Sequence, residues 1–72
     1  MKIIIVNKIE EQVRKYQKKT GVKRIWLAEQ LEMTPQNMYK IFNSTNMTLE
    51  TLIKFAVLLD CQVSDLFKFY IE

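Results

Sequence analysis

The chain holds no histidine, one cysteine, one glycine and one proline in 72 residues. With Cys61 alone and no imidazole, it has neither a set of soft ligands for zinc nor an intrachain disulfide framework. The same lack removes the usual general base, and the lone Gly21 leaves no glycine-rich phosphate loop. Cys61 sits among apolar residues and reads as core rather than nucleophile. No apolar stretch is long enough to span a bilayer or to form a signal-peptide core, because the opening MKIIIV stops at Asn7 and Lys8. These absences set the expectation of a soluble, cytoplasmic, non-enzymatic protein with no catalytic residues, no metal, no cofactor and no membrane partner.

What is present is a packable composition. Hydrophobic residues make up 49% and charged residues 26%, which fits a helical domain rather than a disordered tail. A chain this short buries only about 60% of its unfolded surface, so residues 1–72 are read as one domain with a small core. Eleven basic against eight acidic side chains give a net charge of +3 and a pI of about 9.1. That balance favours a polyanion partner without demanding one. Lys15, Lys18, Lys19, Lys23 and Arg24 cluster, while Lys40 stands apart. On charge alone, a solvated face and a nucleic-acid contact are equally good readings.

Hydrophobic spacing divides the chain into short helices. Asn7 followed by Glu10 predicts a capping box, and Ile9, Val13 and Tyr16 then mark one face of a helix over 8–19 that ends at Gly21. Leu27, Ala28 and Leu31 mark a second helix over 24–31. Thr34 offers an N-cap and Pro35 an N1 residue, so a third helix starts at Pro35 and turns Met38, Ile41 and Phe42 inward. Asn43 to Asn46 form a polar loop. Thr48 caps a fourth helix with Leu49, Leu52, Ile53, Ala56 and Leu59 expected on its buried side and Asp60 at its end. A short fifth helix is predicted around Val63 to Phe67. The terminal segments KIIIV and FKFYI are β-branched or aromatic, and two outcomes stay open: they pair as a small ribbon, or the first extends helix 1 while the second covers the core.

Two helices joined by a turn of two or three residues, over about 24–43, form a helix-turn-helix candidate. Ala28 is small where the helices would cross, and Leu31 and Met33 fill the angle between them. LAEQLEMTPQNMYKIFN resembles the helix-turn-helix of the lambda-repressor/Cro (Xre-like) family, and TLETLIKFAVLLDCQVSDLF is similar to its fourth and fifth helices. Two blocks in the right order, covering about residues 9 to 67, make the resemblance fairly specific. It implies an all-α, compact five-helix domain, here with the terminal ribbon as an open addition. It also implies a small bacterial or phage transcriptional regulator, a repressor by preference, whose third helix (35–42) enters the major groove of double-stranded DNA.

On that resemblance, the first residues of helix 3 meet base edges: Pro35, Gln36 and Asn37, with Lys40 one turn later. Gln and Asn amides suit adenine, and Lys suits guanine acceptors or phosphate. Backbone contacts are expected from Lys23 and Arg24 at the start of helix 2, from Thr34 and Tyr39, and from the loop residues Asn43, Ser44 and Thr45. Without the motif, Gln36, Asn37 and Lys40 are ordinary surface residues, and capping alone explains Thr34 and Pro35. A homodimer is expected on two half-sites about 34 Å apart.

The chain departs from the family pattern at three places. Glu32 stands where relatives usually have Gly, so the turn is expected to be distorted, at about 1 kcal/mol or more for a left-handed residue. Lys23 replaces the usual capping Ser or Thr. Ile25 and Trp26 are apolar where the pattern is polar, with Trp26 expected either under the N-terminal IIIV segment or in a subunit contact. The main competing reading is a protein-interaction module, such as an antitoxin or phage accessory factor on the same fold. Single-stranded RNA binding lacks support for want of a strand-borne aromatic platform.

Overall fold

A computed structural model describes residues 1–72. In chain order it comprises strand β1 (Ile3–Asn7), helices α1 (Ile9–Thr20), α2 (Arg24–Gln30), α3 (Pro35–Phe42) and α4 (Leu49–Leu59), a 3-10 turn (Val63–Asp65) and strand β2 (Phe67–Ile71). Four α-helices therefore form the body, and the two open readings of the termini resolve into a two-stranded antiparallel ribbon. The fifth helix expected over 63–67 is instead that single 3-10 turn. Gln62 and Asp65 close it with a capping box, and Phe67 is taken by the ribbon before a further turn can form. No helix is long and apolar enough to cross a membrane.

The core draws on every element of the body. Ile9 and Val13 of α1, Leu27 and Ala28 of α2, Met38 of α3, Phe55 of α4 and Leu66 after the 3-10 turn are buried. Phe42 and Phe55 meet with ring centroids 6.5 Å apart, so α3 and α4 share an aromatic contact at the centre. The α4 face differs from expectation: Leu52, Phe55, Ala56 and Leu59 turn inward, whereas Leu49, Ile53 (46% exposed) and Val57 (77% exposed) lie outside. LETLIKFAVLL is apolar around most of its circumference, so periodicity cannot choose the stripe. The bulk of Phe55 does, because leaving that ring in water forfeits about 2–3 kcal/mol of burial.

Two helices end in the same way. Glu32 (φ 57°) and Asp60 (φ 53°) take the left-handed conformation. The following amides, Met33 and Cys61, donate to Ala28 and Ala56 at 3.0 Å each, five residues back. These are Schellman endings with apolar residues after the left-handed one, and alanine is the acceptor where that residue must pack. The turn at Glu32 is thus regular rather than distorted, and the helix-turn-helix geometry survives the missing glycine at a steric cost of about 1–2 kcal/mol. Cys61 packs against the core. Burial, with Asp65 and Asp60 close by, pushes its thiol above the ordinary range, which marks it as inert packing rather than a reactive group.

The capping box expected from Asn7 and Glu10 is absent. Asn7 accepts from the Ile9 amide at 2.9 Å through Oδ1, but the α1 N-cap is Lys8, with no side-chain cap. Glu10 is drawn away to Arg24 and Arg14. The Asn7 amide instead donates to the carbonyls of Ile41 and Ser44, both at 2.7 Å. This bond and Lys8 N–H to the Leu66 carbonyl (2.8 Å) fasten the ribbon to the body, since a lone hairpin is marginal in water. Trp26 is not sealed beneath the N-terminal segment: it stays 38% exposed and outside the core cluster.

Candidate nucleic-acid interface

α3 is built to be fixed on one side and bare on the other. Thr34 holds extended dihedrals and its Oγ1 accepts from the Asn37 amide at 3.1 Å, while Pro35 supplies the preset φ of the first helical residue. Met38 and Phe42 are buried and Ile41 packs against the core. Gln36, Asn37, Tyr39 and Lys40 are exposed. The expected base-reading side chains therefore share one uncovered helix face, with Pro35 half-buried beside them. The structure also presents Thr34, Asn43 and Thr45 at the surface around that face.

The expected backbone contacts are less uniform. Lys23 is exposed, with extended dihedrals and no side-chain cap. Arg24 is only 24% exposed at its side chain: it pairs with Glu10 at 3.0 Å and donates to Gln17 at 3.2 Å. Its guanidinium also lies 5.8 Å from the Tyr39 ring and 5.5 Å from the Phe42 ring. One residue thus joins α1, α2 and α3, with its Nε and one of its two Nη atoms already engaged. Ser44 is half-buried, and its hydroxyl bonds the Asn46 carbonyl and amide. The Asn43 amide donates to the Tyr39 carbonyl at 3.1 Å, closing the end of α3.

Three contributions escaped the sequence. Asn7 ties the last turn of α3 to β1, and only its polar side chain next to an apolar segment hinted at such a role. Glu10 and Gln17 hold Arg24, a pairing across helices that no local spacing reveals. A shallow open cleft between α3 and the start of α4 is lined by Lys40, Ser44, Asn46, Thr48 and Thr51. Thr48 was legible as a cap, which it is, accepting from the Thr51 amide at 3.2 Å. β2 does carry the aromatics Phe67, Phe69 and Tyr70, but strand alternation places Phe69 and Tyr70 on opposite faces. Phe67 and Phe69 share one face, where Phe67 is half-buried and Phe69 exposed, and Tyr70 stands apart on the other.

Chemically, the uncovered face of α3 offers two amides, a phenol and one ammonium, which suit recognition of a polar edge. Comparison with known sequences agrees with this geometry. The profile of the Cro/C1-type HTH DNA-binding domain matches residues 12–72. No curated protein matches the chain. The match takes in both helices of the motif, the turn between them, α4 and β2, and the chain belongs to the Cro/C1-type helix-turn-helix DNA-binding family.

Proposed function

We propose that the protein is a small transcriptional regulator, a repressor by preference, working in the cytoplasm as a homodimer with residues 1–72 acting as one DNA-binding domain. The observation that carries this is the bare outer face of α3, with Gln36, Asn37 and Lys40 exposed on a helix whose other face is locked into the core. In this reading α3 lies in the major groove, and Pro35, Gln36, Asn37 and Lys40 approach base edges. Lys23, Thr34, Tyr39, Asn43, Ser44 and Thr45 flank the groove along the sugar-phosphate backbone, and Arg24 joins them by sharing its ion pair with a phosphate. In this reading repression follows from occupancy, since a bound operator is closed to other proteins.

Selection of preferred sites from randomised duplex DNA tests the proposal. The expected result is one enriched sequence, with binding that weakens steeply as salt rises. Absence of any enriched site would overturn it. The exposed apolar residues Trp26, Ile53 and Val57 favour, as second reading, a protein-binding module such as an antitoxin, whose association would be largely insensitive to salt.

A further inference from the structure

α3 is finished differently from its neighbours. α2 and α4 run into left-handed residues, Glu32 and Asp60, whose following amides reach five residues back. Asn43, at the end of α3, has φ −102° and ψ 4°, so no such ending forms. The amides of Asn43 and Ser44 close instead onto Lys40 and Ile41, each three residues back, at 3.2 and 3.1 Å. Two side-chain amides complete this tight last turn. Asn43 serves the Tyr39 carbonyl, and Asn7, from outside the helix-turn-helix, serves the carbonyls of Ile41 and Ser44. Asn7 is itself held: its Oδ1 accepts from the Ile9 amide, which leaves Nδ2 facing α3, and the adjoining Lys8 amide is bonded to the Leu66 carbonyl. Beside it, Ile5 and Phe67 of the ribbon come over Thr45, Met47 and Leu52 around a small recess. The ribbon therefore covers the loop after α3 as well as gripping its last turn. Asn7 and all of β1 precede the residues shared with the family.

We propose that Asn7 is a positioning residue for base reading: it pins the C-terminal end of α3 to the ribbon and so sets where Lys40 and Asn43 stand against the duplex. This rests on the regulator reading above and gives β1 a part in specificity. Gln36, Lys40 and Asn43 are exposed and follow one another at helical spacing, so they form one outward row with a separate fastening at each end. The Thr34 hydroxyl fixes the first end through the Asn37 amide. Asn7 fixes the other. Between them, Met38 and Phe42 hold the inner side by burial, which is non-directional, whereas the hydrogen bonds at the two ends dictate direction. Loss of the Asn7 bonds leaves α3 anchored at Thr34 and free to tilt about its apolar contacts. The displacement grows toward Lys40 and Asn43, and contacts made there suffer first, because hydrogen bonds weaken steeply away from their preferred angle.

Site selection from randomised duplex is repeated with Asn7→Ala and with Asn7→Asp, which keeps the acceptor for Ile9 and loses only the donor. Both are expected to lose discrimination about tenfold at base positions beside the one that Gln36→Ala relaxes, and to keep it at that one. Affinity for random duplex is expected to stay at the wild-type level. Val13→Ala, a truncation in the buried face of α1, lowers stability without touching this attachment and is expected to leave the whole pattern intact. Without DNA, hydrogen exchange of the Ser44 amide is expected to rise about tenfold in Asn7→Ala, with no change at the Asn37 amide of the capped end. In the wild type the Ser44 and Lys8 amides are expected to open together as denaturant is added, a measurement that needs no variant to fold. Unaltered discrimination in both variants, a loss spread evenly over the site, or a Ser44 amide that opens independently of Lys8 overturns the proposal. A wild type that selects no site defeats the regulator reading and this one with it, whereas a selected site that the variants read equally well defeats this one alone.

Discussion

The side-chain amide of Asn7 donates to the main-chain carbonyl of Ile41 at 2.7 Å, across 34 residues of sequence. A second bond from the same nitrogen reaches Ser44, so the C-terminal end of α3 is held by a residue at the foot of the ribbon. The Ser44 carbonyl lies beyond the reach of helical donors, and that of Ile41 keeps only the Ser44 amide, at 3.1 Å, beside this bond. Asn7→Ala is expected to destabilise the fold by about 2 kcal/mol, from the Ser44 carbonyl and the Ile9 amide left unpartnered and one of two donors lost at the Ile41 carbonyl. Asn7→Asp should cost more, because a carboxylate would face two carbonyl oxygens. Urea unfolding of the three proteins checks the order, and a smaller loss in the aspartate variant would contradict the assignment.

Arg24 belongs to the fold before it belongs to any ligand. Arg24→Ala is expected to lower stability by about 1–2 kcal/mol, largely through lost packing on Tyr39 and Phe42, since a partly exposed ion pair is worth little by itself. Arg24→Lys should recover only part of this, because an ammonium cannot serve Glu10 and Gln17 in one plane. Thermal melts supply the measurement. Unchanged melting of both variants would show that the three-helix junction does not depend on this side chain.

At Glu32 the left-handed backbone is paid for by steric crowding that glycine lacks. Glu32→Gly is expected to raise stability by roughly 0.5–1 kcal/mol, the relief of strain being partly offset by the greater freedom of glycine in the unfolded chain. Chemical denaturation reads the difference directly, and a destabilised variant would mean that Glu32 makes compensating contacts.

The raised thiol of Cys61 has a consequence with pH. A group whose folded pKa lies above its unfolded value favours the folded state at neutral pH, and that contribution is lost as pH rises through the folded value. Alkylation of the native protein by iodoacetamide is therefore expected to accelerate at more alkaline pH than alkylation of the urea-unfolded chain. Superimposable profiles would refute it.

Gln36→Ala is expected to lose about 1–3 kcal/mol of discrimination at one base position with the fold intact. Binding to single-substituted variants of a selected site measures this. An evenly distributed loss would place Gln36 on the backbone instead.

How much of this was legible varies with the range of the interaction. Thr34 with Pro35, and Thr48, announced the starts of α3 and α4, because capping is settled within a single turn. Met38 and Phe42 were readable as the inner face of α3 for a similar reason, their polar neighbours leaving one choice. The stripe on α4 was not readable, since its apolar residues encircle the helix and only Phe55 meeting Phe42 decides it. Asn7 misled because the Glu10 that would complete its box is held by Arg24, fourteen residues away. The ribbon was undecidable from either end alone, as each strand exists only through the other.

The capping at Thr34 also limits what the positive end of α3 can offer. Pro35 has no amide, Asn37 gives its own to Thr34, and Met38 closes onto the Thr34 carbonyl at 3.1 Å. Gln36 alone keeps a backbone donor in that turn. An anion arriving end-on thus finds one amide where an uncapped helix would present several, so any firm hold on a phosphate at this tip would have to be supplied by side chains.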